Sequence, residues 1–147
     1  MMRRVLMRGI LNKPIARIAL AAMITLVVAH CNDGPLYPED MAVFEVEVAG
    51  GEHFRIGLTS EAQIAQAATL LASGAENNVH GTVRRGSGRF NAPYSWHLDP
   101  ESITFPDLTM EVCDGRPQSD VESDVDYWVD TVKYYCPWGA KIVARVN

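Results

Sequence analysis

The sequence predicts an α+β fold: one antiparallel sheet of five or six strands, two helices and one disulfide. Three observations carry this. Apolar residues alternate with polar ones in several short runs, the mark of strands with one buried face. Two segments instead show helical spacing behind capping signals. Two cysteines, Cys113 and Cys136, remain to pair once the third, Cys31, is assigned to lipidation.

The first strand is predicted at Phe44, Val46 and Val48, which alternate with Glu45 and Glu47; Phe54, Ile56 and Leu58 repeat the pattern beyond Gly50-Gly51-Glu52. Placing Val48 opposite Phe54 and Glu47 opposite Arg55 matches packing and charge, with residues 50–52 as the loop. Ser60-Glu61-Ala62-Gln63 is a capping box, and Ile64, Ala67, Ala68 and Leu71 continue it as a helix that Gly74 ends. Further strands are expected at 79–85, at Tyr94-Trp96-Leu98, over 103–113 with an interruption at Pro106, and at Ile142-Ala144-Val146. Ser119 with Glu122 suggests a second capping box, opening a helix over 120–132 along Val121, Val125, Trp128 and Val132.

The chain divides into a signal peptide (1–30), a tether (31–40) and a single domain (41–147). Residues 1–17 hold five of the 13 basic residues and no acid, and residues 18–29 are an apolar run of 12. A basic stretch followed by so short an apolar run is an export signal rather than a permanent span. Two processings fit the junction. Val28-Ala29-His30-Cys31 resembles a lipoprotein box, with His30 in place of the usual small residue, which would put a lipid on Cys31. Cleavage after Ala29 would instead release a soluble protein. The odd cysteine count favours lipid on Cys31, leaving Cys113 and Cys136 as a pair in an oxidising compartment. Membrane association then runs through the anchor.

All 18 acidic residues follow Cys31, so the chain beyond the leader carries eight basic residues and a formal charge of −10. Such a body lacks the basic surface a nucleic acid requires. No metal or cofactor is expected: Cys113 and Cys136 stand 23 apart without CxxC or HxxxH spacing, and the histidines are scattered. The acids at 120, 122, 124, 126 and 130 have helical spacing, not that of a calcium loop. Ser95, His97 and Asp99 spell a triad only in letters. On a strand they stand ~6.5 Å apart with parallel side chains, beyond the ~3 Å reach that nucleophile and base need.

The one basic cluster, Arg84-Arg85-Gly86-Ser87-Gly88-Arg89, is the candidate binding loop, through Arg84, Arg85 and Arg89. The expected function is therefore non-enzymatic binding of a protein or peptide partner. Two alternatives are a proteinase inhibitor presenting the Arg84–Arg89 loop, and a hydrolase using His97 and Asp99 with a third group from another strand.

From Tyr94 onward a further pattern is visible: Tyr94-Ser95-Trp96-His97-Leu98-Asp99-Pro100, then Glu111-Val112-Cys113-Asp114-Gly115, then Tyr127-Trp128 and Cys136-Pro137-Trp138. It resembles the calmodulin-binding-protein N-terminal domain family, small domains of exported bacterial proteins, over residues 41–147. The resemblance implies a fold and a structural cysteine pair, with Trp96, Trp128 and Trp138 packed around it. It also implies a polar corner of His97, Asp99 and Asp114 that holds turns. It supplies no catalytic residues. Calmodulin targets are basic amphipathic helices, whereas the helices here are alanine-rich or acidic, so the family's name is not read as a function.

Overall fold

The computed structural model describes residues 37–107 and 118–147. β1 (Ala42–Val48) and β2 (Glu52–Leu58) form the expected hairpin. Its register differs by two residues from the predicted one: Val46 faces Phe54, Glu45 faces Arg55 and Val48 faces Glu52. A shift of two leaves every side chain on its own face, so alternation alone cannot choose between the registers. The turn chooses, because Gly51 N–H donates to Val48 O at 3.0 Å and both Gly50 and Gly51 take positive φ, closing the chain over 49–51.

α1 (Glu61–Ser73) starts where the capping signal places it, with Ser60 N–H donating to Gln63 Oε1, and stops at Gly74 in the left-handed region. Ala67 is its one buried residue, while Ile64, Leu70 and Leu71 pack against the core. After a short β3 (Glu76–Asn77) come β4 (Gly81–Arg85), β5 (Trp96–Leu98) and a 3-10 turn over Pro100–Ser102. The helical region expected at 120–132 is broken at Asp124 into α2 (Gln118–Ser123), α3 (Val125–Tyr127) and a wider π-helical turn, Trp128–Val132. Asp124 itself caps α3 by accepting from Tyr127 N–H. β6 (Tyr134–Tyr135) and β7 (Ala140–Arg145) complete the chain.

Among the described residues the strands form two sheets, not the single sheet of five or six strands that the sequence suggests. One has four strands in the order β2-β1-β7-β3, the other three in the order β5-β4-β6. The long strand expected over 103–113 is reduced, among the described residues, to one bridge between Thr104 and His80. Among the described residues there are three α-helices rather than two. Cys136, the one cysteine among the described residues, is disulfide-bonded. Cys31, Cys113 and Asp114, with most of the tether, lie outside the described residues.

The two sheets share one core. Phe44, Val46, Ile56, Leu58 and Ile142 come from the larger sheet; Val83, Trp96, Leu98 and Tyr135 come from the smaller. Tyr135 is its hub, with ring centroids 5.4 Å from Trp96 and 5.7 Å from both Phe54 and Trp128. Trp96 and Trp128 thus pack around a tyrosine. Trp138, expected beside them, is 51% exposed.

β2 and β5 are the terminal strands of their sheets, and side chains join them where a backbone ladder does not. Asn91, only 1% exposed, accepts from Arg55 N–H at 2.7 Å and donates to Trp96 O at 2.9 Å. The Tyr94 hydroxyl and Gln118 Nε2 both donate to His53 O, at 3.0 and 3.1 Å. Each bond satisfies a backbone group that an unpaired strand edge would leave open.

Candidate functional site

The register of the smaller sheet sorts its residues onto two faces. Val83 pairs with Leu98 and Gly81 with Tyr135 on the core side. Arg84 pairs with His97 and Thr82 with Tyr134, which places these four on the outer face. Tyr134 is 63% exposed, the most exposed large apolar side chain in the described structure.

Ion pairs fix the arginines around this face. Arg84 donates from Nε and Nη2 to Asp99 Oδ2, at 3.1 and 2.8 Å. Asp99 also accepts from Glu101 N–H, capping the 3-10 turn. The Arg84 guanidinium holds the Asp99 carboxyl below its ordinary value, with the Glu101 bond adding to the effect. Arg85 spans Asp126 (Nε to Oδ1, 2.9 Å) and Asp130 (Nη2 to Oδ2, 2.7 Å). That pairing lowers the Asp130 carboxyl and raises the guanidinium. An arginine presented to an acidic pocket needs an uncommitted head group, and these two are committed within the molecule. Arg89 lies in a tight turn with φ of +68°, where Phe90 and Asn91 N–H both donate to Ser87 O.

The letters of the triad disperse as strand geometry requires. Ser95 Oγ donates to Glu122 Oε1 at 2.8 Å, and Ser95 N–H donates to Oε2 of the same carboxylate. Glu122 therefore serves the edge of β5. Ser119, its expected capping partner, bonds Glu52 instead through both N–H and Oγ. His97 Nδ1 lies 2.6 Å from Gly86 O, and its ring meets Phe90 edge to face at 5.5 Å. Gly88 makes this approach possible: a Cβ there would fall 2.8 Å from the His97 ring, and its φ of +61° suits glycine. His97 thus bonds the turn at Gly86 and Asp99 the turn at Glu101. Their hydrogen bonds run to Gly86 and to Arg84 and Glu101, not to each other.

A groove of about 180 Å³ opens beside β2, lined by Glu45, His53, Arg55, Asn91, Pro93 and Tyr94 among others. Its charges are paired, His53 Nδ1 to Glu45 at 3.0 Å and Arg55 Nε to the same carboxylate at 3.9 Å. Among the described residues no three His, Cys, Asp or Glu side chains group to hold a metal ion. No described helix is long and apolar enough to cross a membrane.

Sequence reading misses two residues that matter here. Asn91 carries no local signal, since an asparagine so near a proline reads as a turn residue. Tyr134 and Tyr135 are equivalent in sequence, and only the β4 register sends one inward and one out.

No curated protein and no solved structure matches the chain. The model of the BP-74 N-terminal domain, the N-terminal domain of calmodulin-binding proteins, does match, over residues 40–147. That span takes in every element from β1 to β7 and the Tyr94–Pro100, Tyr127-Trp128 and Cys136–Trp138 motifs, so the chain belongs to this calmodulin-binding-protein N-terminal domain family.

Proposed function

We propose that this is an exported, non-enzymatic domain, anchored through lipid on Cys31, that binds a protein or peptide partner by the outer face of its smaller sheet. The observation that carries the reading is Tyr134, 63% exposed and on the same face as Arg84 and His97. Tyrosine and arginine dominate the energetic centres of protein interfaces. A large ring held on a strand also loses little conformational freedom on binding. The ion pair to Asp99 fixes Arg84 before any partner arrives, and such preorganisation lowers the cost of association. The composition of the chain supports export, and the basic leader and Cys31 support the anchor.

The reading is tested by retention of envelope proteins on immobilised wild-type protein and on Tyr134→Ser. A partner held by the wild type and lost from the variant supports it. Equal retention on both removes the proposed face. Mass spectrometry of the processed N-terminus tests the anchor, with a diacylglyceryl mass on Cys31 as the expected result.

A further inference from the structure

The register of the smaller sheet fixes where the backbone of β6 points. In an antiparallel pair the N–H and C=O of one residue lie on the same side of the strand, and successive residues alternate. Thr82 turns both groups away from β6: its N–H donates to Ser102 Oγ and its C=O accepts from Asp99 N–H, each at 2.8 Å. Val83 N–H instead reaches towards β6 and donates to Lys133 O at 2.8 Å. Thr82 and Tyr134 are therefore opposite each other without mutual hydrogen bonds, and the N–H and C=O of Tyr134 point away from β4. β6 is the terminal strand of its sheet, and among the described residues nothing bonds these two groups.

The edges of β2 and β5 are treated differently. There the side chains of Asn91, Tyr94 and Gln118 take up backbone groups of Arg55, His53 and Trp96. At β6 an open backbone donor and acceptor stand on the same residue as an exposed ring. An extended peptide brings a C=O and an N–H at the matching spacing, together with a side chain that lies beside the ring. Two features set its length and charge. Lys133 has φ of +72°, outside the strand region, and Pro137 has no N–H, so the open stretch is short. Beyond the leader the chain holds eight basic residues against 18 acidic ones. Such a field draws in a basic segment and repels a second copy of the chain.

We propose that a short basic segment of the partner adds to β6 as an antiparallel strand. One of its residues exchanges two hydrogen bonds with the N–H and C=O of Tyr134 and rests its side chain against the tyrosine ring. The proposal rests on the reading of the Tyr134 face and gives that face a binding mode.

The test titrates the isotope-labelled full chain with the peptide Lys-Thr-Val-Tyr-Val-Thr-Lys. Two controls are the same peptide with every inner amide N-methylated and the same peptide with glutamate for both lysines. The Tyr134 amide is expected to exchange freely in the unbound chain and to become protected as the basic peptide saturates. N-methylation should weaken binding about fivefold or more, the loss of at least one neutral hydrogen bond. The glutamate peptide should bind more weakly than the lysine one, the gap narrowing as salt is added. No saturation by the basic peptide overturns the proposal, and so does equal affinity of the N-methylated one. A Tyr134 amide already protected in the unbound chain also overturns it, because the edge is then filled by the chain itself or, where protection grows with protein concentration, by a second copy. Retention of envelope proteins on Tyr134→Ser decides the face separately, so the strand addition can fail while the face stands.

Discussion

The two sheets meet the same requirement, satisfying the backbone of every strand, by different means. In the larger one, β1 and β2 pair over seven residues and β7 pairs with both β1 and β3. In the smaller one, β5 pairs with β4 at three positions and β6 at only two. Side chains supply the rest. Asn91 and Glu122 serve the outer edge and start of β5, Ser102 Oγ accepts from Thr82 N–H at 2.8 Å, and Asp99 anchors Arg84. A ladder tolerates most single substitutions because its bonds are main chain. A sheet completed by side chains concentrates the same dependence on a few residues.

The largest effect that exposes this difference is expected at Tyr135, where both sheets converge. Tyr135→Ala removes the ring packed on Phe54, Trp96 and Trp128, and the loss should be about 3–5 kcal/mol by urea unfolding, in the range for buried aromatics. Next is Asn91→Ala, which leaves Arg55 N–H and Trp96 O without partners in a buried setting. A cost of about 2–4 kcal/mol is expected for two such groups. Hydrogen exchange sharpens the comparison. Amides of Val83 and Asp99 should lose protection in this variant while those bridging β1 and β7 keep theirs. Equal loss in both sheets would erase the distinction.

The smallest effect is the Arg84–Asp99 pair, partly exposed and therefore worth under about 1 kcal/mol. Its pH dependence has a definite sign. The Asp99 carboxyl sits below its ordinary value of 3.8 because Arg84 bonds its charged form. The stabilisation is thus complete above that value and disappears as pH falls through the lower folded-state value. Wild type should exceed Asp99→Asn in stability at pH 6, and the gap should close towards pH 2. A gap independent of pH would assign the effect to packing instead.

The larger sheet was the more legible in sequence, for the same reason. Its strands announce themselves by alternation, as at Phe44-Glu45-Val46-Glu47-Val48, and α1 by its two ends. Trp96 and Leu98 also read correctly as inward. The division into two sheets did not, because the residues that make it, Asn91 and Gln118, act through bonds spanning 36 and 65 positions of sequence. The hairpin register escaped because two solutions preserve the same faces. Helix breakage at Asp124 escaped because Val121, Val125 and Trp128 keep helical spacing across the break. The candidate sites were less visible still. The arginine cluster reads as one loop, whereas the carboxylates that pair with Arg84 and Arg85, those of Asp99, Asp126 and Asp130, come from elsewhere in the sequence.

The place of β7 has a consequence for synthesis. Residues 140–145 lie between β1 and β3, so neither strand gains that neighbour until β7 itself has been made. The β1–β2 hairpin and α1 can form early, but the four-stranded layer closes only once β7 is added, a long-range pairing of the slow kind. Until that strand docks, β3 is left without a neighbour in its sheet.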